Sequence, residues 1–200
     1  MSYAEGELHR AGGARVLDLG CGAGRNAVPL ARLGWDVLGI DLSMPMLSAA
    51  AQRAREDGVA DRVHVVRGRM DTIPARDNSF DVVIAHGIWN LAASASEFRR
   101  ALAEAARVAR PGAGLFVFTF SRNTFPPGVQ PVAGEPFVFT QFSGQPQCFL
   151  TEAQLVAELA AAGFVRDPSV PLTEYNRPQP GVHRTGNAPV IYEAAFRLPD

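Results

Sequence analysis

Residues 16–24 read Val-Leu-Asp-Leu-Gly-Cys-Gly-Ala-Gly, and no other stretch restricts the fold of this chain as strongly. An apolar run carrying one acid breaks into glycines at 20, 22 and 24, and a helix-like stretch follows. Glycine lacks a Cβ and takes positive φ freely, so backbone here can approach a ligand closely. The N-terminus of the following helix aims its free N–H groups at the same spot. Strand, glycine turn and helix in this order are the start of an α/β unit with a nucleotide-type site.

The rest of the chain continues the alternation. Strands are expected at 16–19, 36–40, 63–66, 80–85 and 115–120, the fourth being a nearly unbroken apolar run suited to burial on both faces. Helices are expected at 25–33, closed by Gly34, and at 45–56, capped by Ser43 and stopped by Gly58. A third runs from a Ser94/Glu97 capping box to Val108 and ends at Pro111-Gly112. Thr151 and Gln154 form a second capping box, opening a helix that presents Leu155, Val156 and Leu159. Strand candidates at 164–170 and 190–198 bring the number to seven. The pattern predicts an α/β, Rossmann-like, doubly wound fold: a seven-stranded, mostly parallel sheet with helices on both faces.

With 200 residues, 47% of them hydrophobic, the chain reads as one domain over 1–200 with a full core. A net charge of −1 offers no field for polyanions, so nucleic acid is not an expected partner. No apolar run approaches the roughly 18 residues of a membrane span, and no basic-then-apolar leader opens the chain, so no membrane and a cytoplasmic location are expected. Cys21 and Cys148 lack metal-ligand spacing, and no metal is expected. Residues 121–148 are rich in Pro, Gly, Phe and Gln without a period. Phe125, Phe137, Phe139, Phe142 and Phe149 argue against disorder there and form either a satellite core or an apolar pocket wall.

The spacing G-x-G-x-G departs from the G-x-G-x-x-G of dinucleotide sites. Asp18, inside the first strand and two residues before Gly20, repels a pyrophosphate and suits an ammonium group. Asp41, at the end of the second strand, is placed to accept hydrogen bonds from two ribose hydroxyls. Together the two acids describe a nucleoside with an amino-acid tail and no phosphates.

These residues resemble a family. Asp-Leu-Gly-Cys-Gly-Ala-Gly (18–24), Gly-Ile-Asp-Leu-Ser (39–43), Pro-Ala-Arg-Asp-Asn-Ser-Phe-Asp-Val-Val-Ile (74–84) and Ala-Arg-Val-Ala-Arg-Pro-Gly-Ala-Gly (106–114) look like class I S-adenosylmethionine-dependent methyltransferases of the small-molecule group. The resemblance covers about residues 14–166. It implies S-adenosylmethionine as cofactor, with Asp18, Gly20, Cys21, Gly22 and Gly24 at the methionine end and Asp41 on the ribose. It also implies that Arg69-Met70-Asp71 lies against the adenine. Where Arg69 stands many relatives have an acid, and Arg accepts no hydrogen bond, so Asp71 is read as its replacement, with the Met70 N–H reaching the ring. Leu42 and Met46 are read as apolar faces for the base. Arg25 either pairs with the methionine carboxylate or faces solvent.

Methyl transfer from a sulfonium is an in-line displacement that chiefly needs an aligned acceptor, with a base only where the acceptor loses a proton. His86, beyond the fourth strand at the carboxyl edge of the sheet, is the candidate base, or else it lines the methionine end. Trp89 either stacks on a planar ligand or belongs to the core. Few residues precede the first strand, so the N-terminal cover common in such enzymes is expected to be missing. Residues 121–149, with 175–183, are expected to form the lid over the acceptor site. The expected partner is a small-molecule methyl acceptor, and the expected state a monomer or homodimer. Two other readings stand beside this one: a non-catalytic S-adenosylmethionine-binding protein and an NAD-dependent oxidoreductase.

Overall fold

In the computed structural model, which describes residues 2–10, 14–177 and 188–200, the glycine turn leaves the carboxyl end of a strand in the middle of the sheet. That strand, β1 (Arg15–Leu19), lies between β2 (Asp36–Asp41) and β4 (Phe80–His86) and runs parallel to both. Next to β2 is β3 (Val63–Arg67), and next to β4 is β5 (Ala109–Phe120), again parallel. The last strand, β10 (Ile191–Arg197), runs antiparallel against β5. Strands β6 (Val138–Phe139) and β7 (Gln147–Cys148) form a separate pair.

The sheet holds eight strands, one more than the sequence pattern suggests, in seven positions. Two short segments, β8 (Val165–Arg166) and β9 (Thr173–Tyr175), share the outer edge of β10. The single strand expected at 164–170 stops early. Asp167 accepts hydrogen bonds from the Ser169 N–H and hydroxyl, turning the chain away, and Pro168 and Pro171 cannot donate to the ladder.

Helices α1 (Ser2–Arg10), α2 (Ala27–Arg32) and α3 (Met44–Glu56) cover one face, where Ala4, Val28, Leu30 and Ala54 pack on Val16, Val82 and Ile84. Helices α4 (Ala95–Val108) and α5 (Glu152–Ala161) cover the other, where Phe98, Leu102, Leu155 and Leu159 pack on Leu17, Val83 and Leu115. Ser43 caps α3 by accepting the Met46 N–H, and the Thr151/Gln154 box is complete. The Ser94 cap is present, but Glu97 reaches back to the Ala93 N–H.

Three boundaries differ from the sequence reading. Helix α2 starts at Ala27 because Gly22 and Gly24 adopt φ of +51° and +77° and keep the chain in turns until Asn26. Strand β5 starts at Ala109, because a register shift opposite β4 between Phe80 and Val82 absorbs Pro111-Gly112. The N-terminal segment forms a helix after all. Arg197 donates to the buried Glu7 carboxylate, and the Trp35 indole N–H donates to the Ala4 carbonyl, so tertiary contacts hold a helix too short to be stable alone. Residues 178–183 of the segment expected to join the lid lie outside the described residues.

Candidate active site

The turn is built around two carboxylates. Asp18 is fully buried beneath it, with Asn26 Nδ2 3.5 Å from Oδ1 and a further hydrogen bond from the Ala27 backbone. Its Oδ2 has no partner among the described residues. Burial pushes the Asp18 carboxyl up to about 7, against the smaller opposing effect of Asn26. Asp18 thus occupies the positive end of α2, the position a pyrophosphate needs, and excludes an anion there by volume.

Asp41 joins the turn to the end of β2. One carboxylate oxygen accepts the Gly22 N–H at 3.0 Å, and the other accepts the Ser43 N–H at 2.8 Å. Gly20 and Cys21 both donate to the Ile40 carbonyl, and Gly24 donates to Cys21. The N–H groups of Gly20, Cys21, Gly22 and Gly24 are therefore used inside the fold, and the turn offers shape more than donors. Gly20 adopts φ of +69°, and a Cβ there would come within 2.8 Å of Ile88 Cδ1. Cys21 packs against Gly39, and burial pushes its thiol up to about 12, which leaves it a small space-filling residue and no nucleophile.

A cavity of about 230 Å³ opens beside the turn. Gly20, Asp41, Leu42, Met70 and Asp71 line it, as the sequence reading expects of a ligand site. Leu19, Ile40, Gly68, Arg69, Ile88, Leu91 and Glu97 complete the wall. Of these, sequence reasoning missed Leu19, Ile40, Gly68, Ile88, Leu91 and Glu97; beyond the strands, the apolar pair at 88 and 91 directly after a strand is the only local signal. Gly68 is needed because a Cβ would meet Pro74 Cδ at 2.9 Å. Met46 does not line the cavity and stands half-exposed on α3. Arg69 takes no free position: it donates to Asp71 at 2.8 Å and to Glu97 at 3.0 Å. Arg69, with Arg100, holds the Asp71 carboxyl below the usual carboxylate range.

Arg25 and His86 lie together at a second cavity, of about 370 Å³, with Tyr3, Asn26, Phe116 and Glu193. Helix α1 walls this cavity through Tyr3 and Ala4, so an N-terminal cover is present where none was expected. The His86 ring stacks on Phe118, with centroids 4.3 Å apart and planes at 13°. Burial, helped by the Arg25 charge, pushes its imidazole below the usual value and favours the neutral form.

Residues 121–149 line neither of these two cavities. Phe137, Phe139 and Phe149 are fully buried, and Phe125, Phe139 and Phe149 pack ring on ring in a satellite core. The segment braces the turn after β4: Cys148 Sγ lies 3.4 Å from the Ala92 carbonyl, and Glu135 accepts the Ala95 N–H. Trp89 is fully buried, edge-on to Phe98, and belongs to the core.

The arrangement suits a phosphate-free nucleoside with an amino-acid tail, and the comparisons agree. A family profile described as a methyltransferase domain matches residues 16–112. A solved structure of an S-adenosylmethionine-dependent methyltransferase from Methanosarcina mazei superposes with a TM-score of 0.77, covering 96% of each chain at 23% identity, which is a likeness of fold. A demethylmenaquinone methyltransferase from Lactiplantibacillus plantarum is 40% identical over 124 residues, 60% of this chain and 51% of that protein. One from Thermobifida fusca is 33% identical over 172 residues, 77% of this chain and 70% of that protein. The chain belongs to the class I S-adenosylmethionine-dependent methyltransferases. It spans only about half the length of several curated methyltransferases that it matches. The first cavity lies at the carboxyl ends of β1, β2 and β3, where open α/β sheets bind ligands.

Proposed function

We propose that this chain transfers the methyl group of S-adenosylmethionine to a small-molecule acceptor. The observation that carries the reading is the pair of acids around the turn: Asp18 fills the helix terminus where a phosphate would sit, and Asp41 stands at the wall of the adjoining cavity. That pairing disfavours NAD. The orphaned Asp18 Oδ2 fits a donor carrying an ammonium group.

In this reading Asp41 accepts from the ribose hydroxyls, its orientation held by the Gly22 and Ser43 N–H groups. Leu42, Ile88 and Leu91 supply apolar faces for the base, with Met70 and Asp71 at its edge. Asp18 acts on the donor's ammonium from beneath the turn, and Arg25 pairs with its carboxylate. Bound, the donor supplies an electrophilic methyl on sulfur with an uncharged leaving group. The chain's own part is to hold the acceptor in line at the second cavity and keep water out. His86, neutral near pH 7, is placed to take a proton from an acceptor that must lose one.

Curated relatives are named demethylmenaquinone methyltransferase or ubiquinone biosynthesis O-methyltransferase, and a quinone precursor is the second reading of the acceptor. The charged groups Arg25 and Glu193 at a 370 Å³ cavity favour a smaller polar acceptor. Segment 121–149 takes part by bracing the turn that carries Ile88 and Leu91. The chain works away from membranes and nucleic acid, in the cytoplasm, as a monomer or homodimer. None of the described helices is long and apolar enough to cross a membrane.

Calorimetry with S-adenosylmethionine and NAD, followed by assay of S-adenosylhomocysteine release over a panel of acceptors, tests the proposal. Micromolar binding of S-adenosylmethionine with no NAD binding is expected, and NAD binding alone would overturn it. Donor binding without turnover on any acceptor would favour the non-catalytic reading.

A further inference from the structure

The second cavity contains a carboxylate that the described fold leaves unused. Strand register puts His86 on β4 beside Phe118 on β5, and Phe118 beside Glu193 on β10, so the three form one row at the carboxyl end of the sheet. At about 4.8 Å per strand, His86 and Glu193 stand roughly 10 Å apart across the Phe118 ring. Phe116 and Tyr3, whose rings pack 5.6 Å apart, supply aromatic walls to the same cavity. Glu193 is half-buried, yet no described side chain pairs with it. Four acids of this fold are treated differently: Glu7, Asp71, Asp81 and Asp167 each hold an arginine. A partly exposed carboxylate that no described side chain pairs with is free to accept a donor from a ligand.

We infer that Glu193 determines specificity at the acceptor site, and that the acceptor is a small amine that carries an aromatic ring. Its ring packs against Phe116 and Tyr3, and its cationic or N–H-bearing nitrogen sits on Glu193. The atom to be methylated lies toward His86, one aromatic ring's span away. The inference rests on reading the first cavity as the donor's and Arg25 as the partner of the donor's carboxylate. An Arg25 free to face the acceptor would select an anion instead. The charge of the group that reaches Glu193 is therefore the deciding observable.

Benzylamine, benzyl alcohol and benzoate are matched probes of that charge, and their binding to the full chain saturated with S-adenosylhomocysteine can be followed by ligand-detected NMR. Benzylamine is expected to bind about tenfold more tightly than benzyl alcohol, with benzoate weakest, as a charge-assisted hydrogen bond requires. Glu193→Gln, nearly isosteric, is expected to abolish the preference while leaving S-adenosylhomocysteine affinity and Tm unchanged. Glu193→Asp is expected to keep it. A Gln variant that retains the preference, a wild type that takes benzoate as well as benzylamine, or no benzylamine binding at all overturns the inference. The same titrations without S-adenosylhomocysteine separate the two readings. A chain that fails to bind S-adenosylhomocysteine but discriminates the probes refutes the donor assignment alone.

Discussion

The Asp41 carboxylate accepts the Gly22 backbone N–H at 3.0 Å, so the acid proposed to hold a ribose also anchors the turn beside it. A second contact, from the Ser43 N–H at 2.8 Å, fixes the remaining oxygen. Two backbone donors leave the carboxylate little freedom to rotate, which is the pre-organisation that a ribose clamp needs.

Asp41→Ala is expected to weaken S-adenosylhomocysteine binding by roughly two to four orders of magnitude, since two hydrogen bonds to a charged acceptor contribute about 1.5–3 kcal/mol each. The same change unpairs two backbone donors, so Tm falls as well. Asp41→Asn retains one acceptor oxygen and is expected to fall between. Calorimetry and a thermal melt on each variant measure the two effects; full affinity in the Ala variant would remove Asp41 from the ligand site.

Gly20→Ala places a Cβ 2.8 Å from Ile88 Cδ1 in a conformation with φ of +69°. The left-handed backbone alone costs a non-glycine residue about 1–2 kcal/mol, and the clash adds to it. Adding Ile88→Ala is expected to relieve the clash and recover part of the lost stability, leaving the backbone strain. A double variant no more stable than Gly20→Ala would show that the two side chains do not meet.

Burial holds Asp18 at about 7 against an ordinary value of 3.8. The neutral acid is therefore the favoured form in the free fold. Its contribution to stability is complete below the unfolded value and is lost as pH rises through about 7. A ligand ammonium reverses the preference by favouring the ionised form. Free-protein Tm is expected to fall between pH 4 and 8, and S-adenosylhomocysteine affinity to rise over the same window. Both slopes should flatten in Asp18→Asn; slopes that persist would assign them to another group.

His86→Phe preserves the stack on Phe118 and removes the base. With an acceptor that must lose a proton, turnover is expected to drop about 10²- to 10⁴-fold. The acid limb of the kcat/KM profile, set below pH 6.5 by the lowered imidazole, should vanish with it. Affinity for S-adenosylhomocysteine should stay within about twofold. Unchanged turnover would leave His86 as a wall residue only.

At the opposite end of the sheet, Arg197 bridges the buried carboxylates of Glu7 and Asp167. Arg197→Met strands both acids and is expected to destabilise by about 3 kcal/mol, at the low end for buried pairs because the guanidinium is partly exposed. For a chain of this length that is a Tm loss on the order of 10 °C. A loss under about 2 °C would show that the acids are satisfied without it.

Element type was legible wherever a local rule acts alone. The alternation of apolar strands and capped helices, Ser43 and Thr151 as caps, and the glycine turn all follow from neighbours within a few residues. Pocket membership was legible for Gly20, Asp41, Leu42, Met70 and Asp71, which sit on the turn and at strand ends, where the fold class itself dictates exposure to ligand. Met46 shows the limit: its helix was foreseen, but the face it presents depends on how α3 lies on the sheet.

By itself, then, the sequence determined a parallel α/β sheet, a turn that refuses phosphate, and membership of a methyltransferase class. Only the tertiary structure decided which turn donors remain free, where Arg69 points, and that Ile88, Leu91 and Glu97 close the first cavity. It also decided that α1 and Glu193, the better part of two hundred residues apart in the chain, meet at the second. The physical reason is range. Caps, turns and periodicity are set by contacts a few residues apart, whereas cavity walls and ion-pair partners are chosen by strand order and register, which bring distant residues to one edge of the sheet.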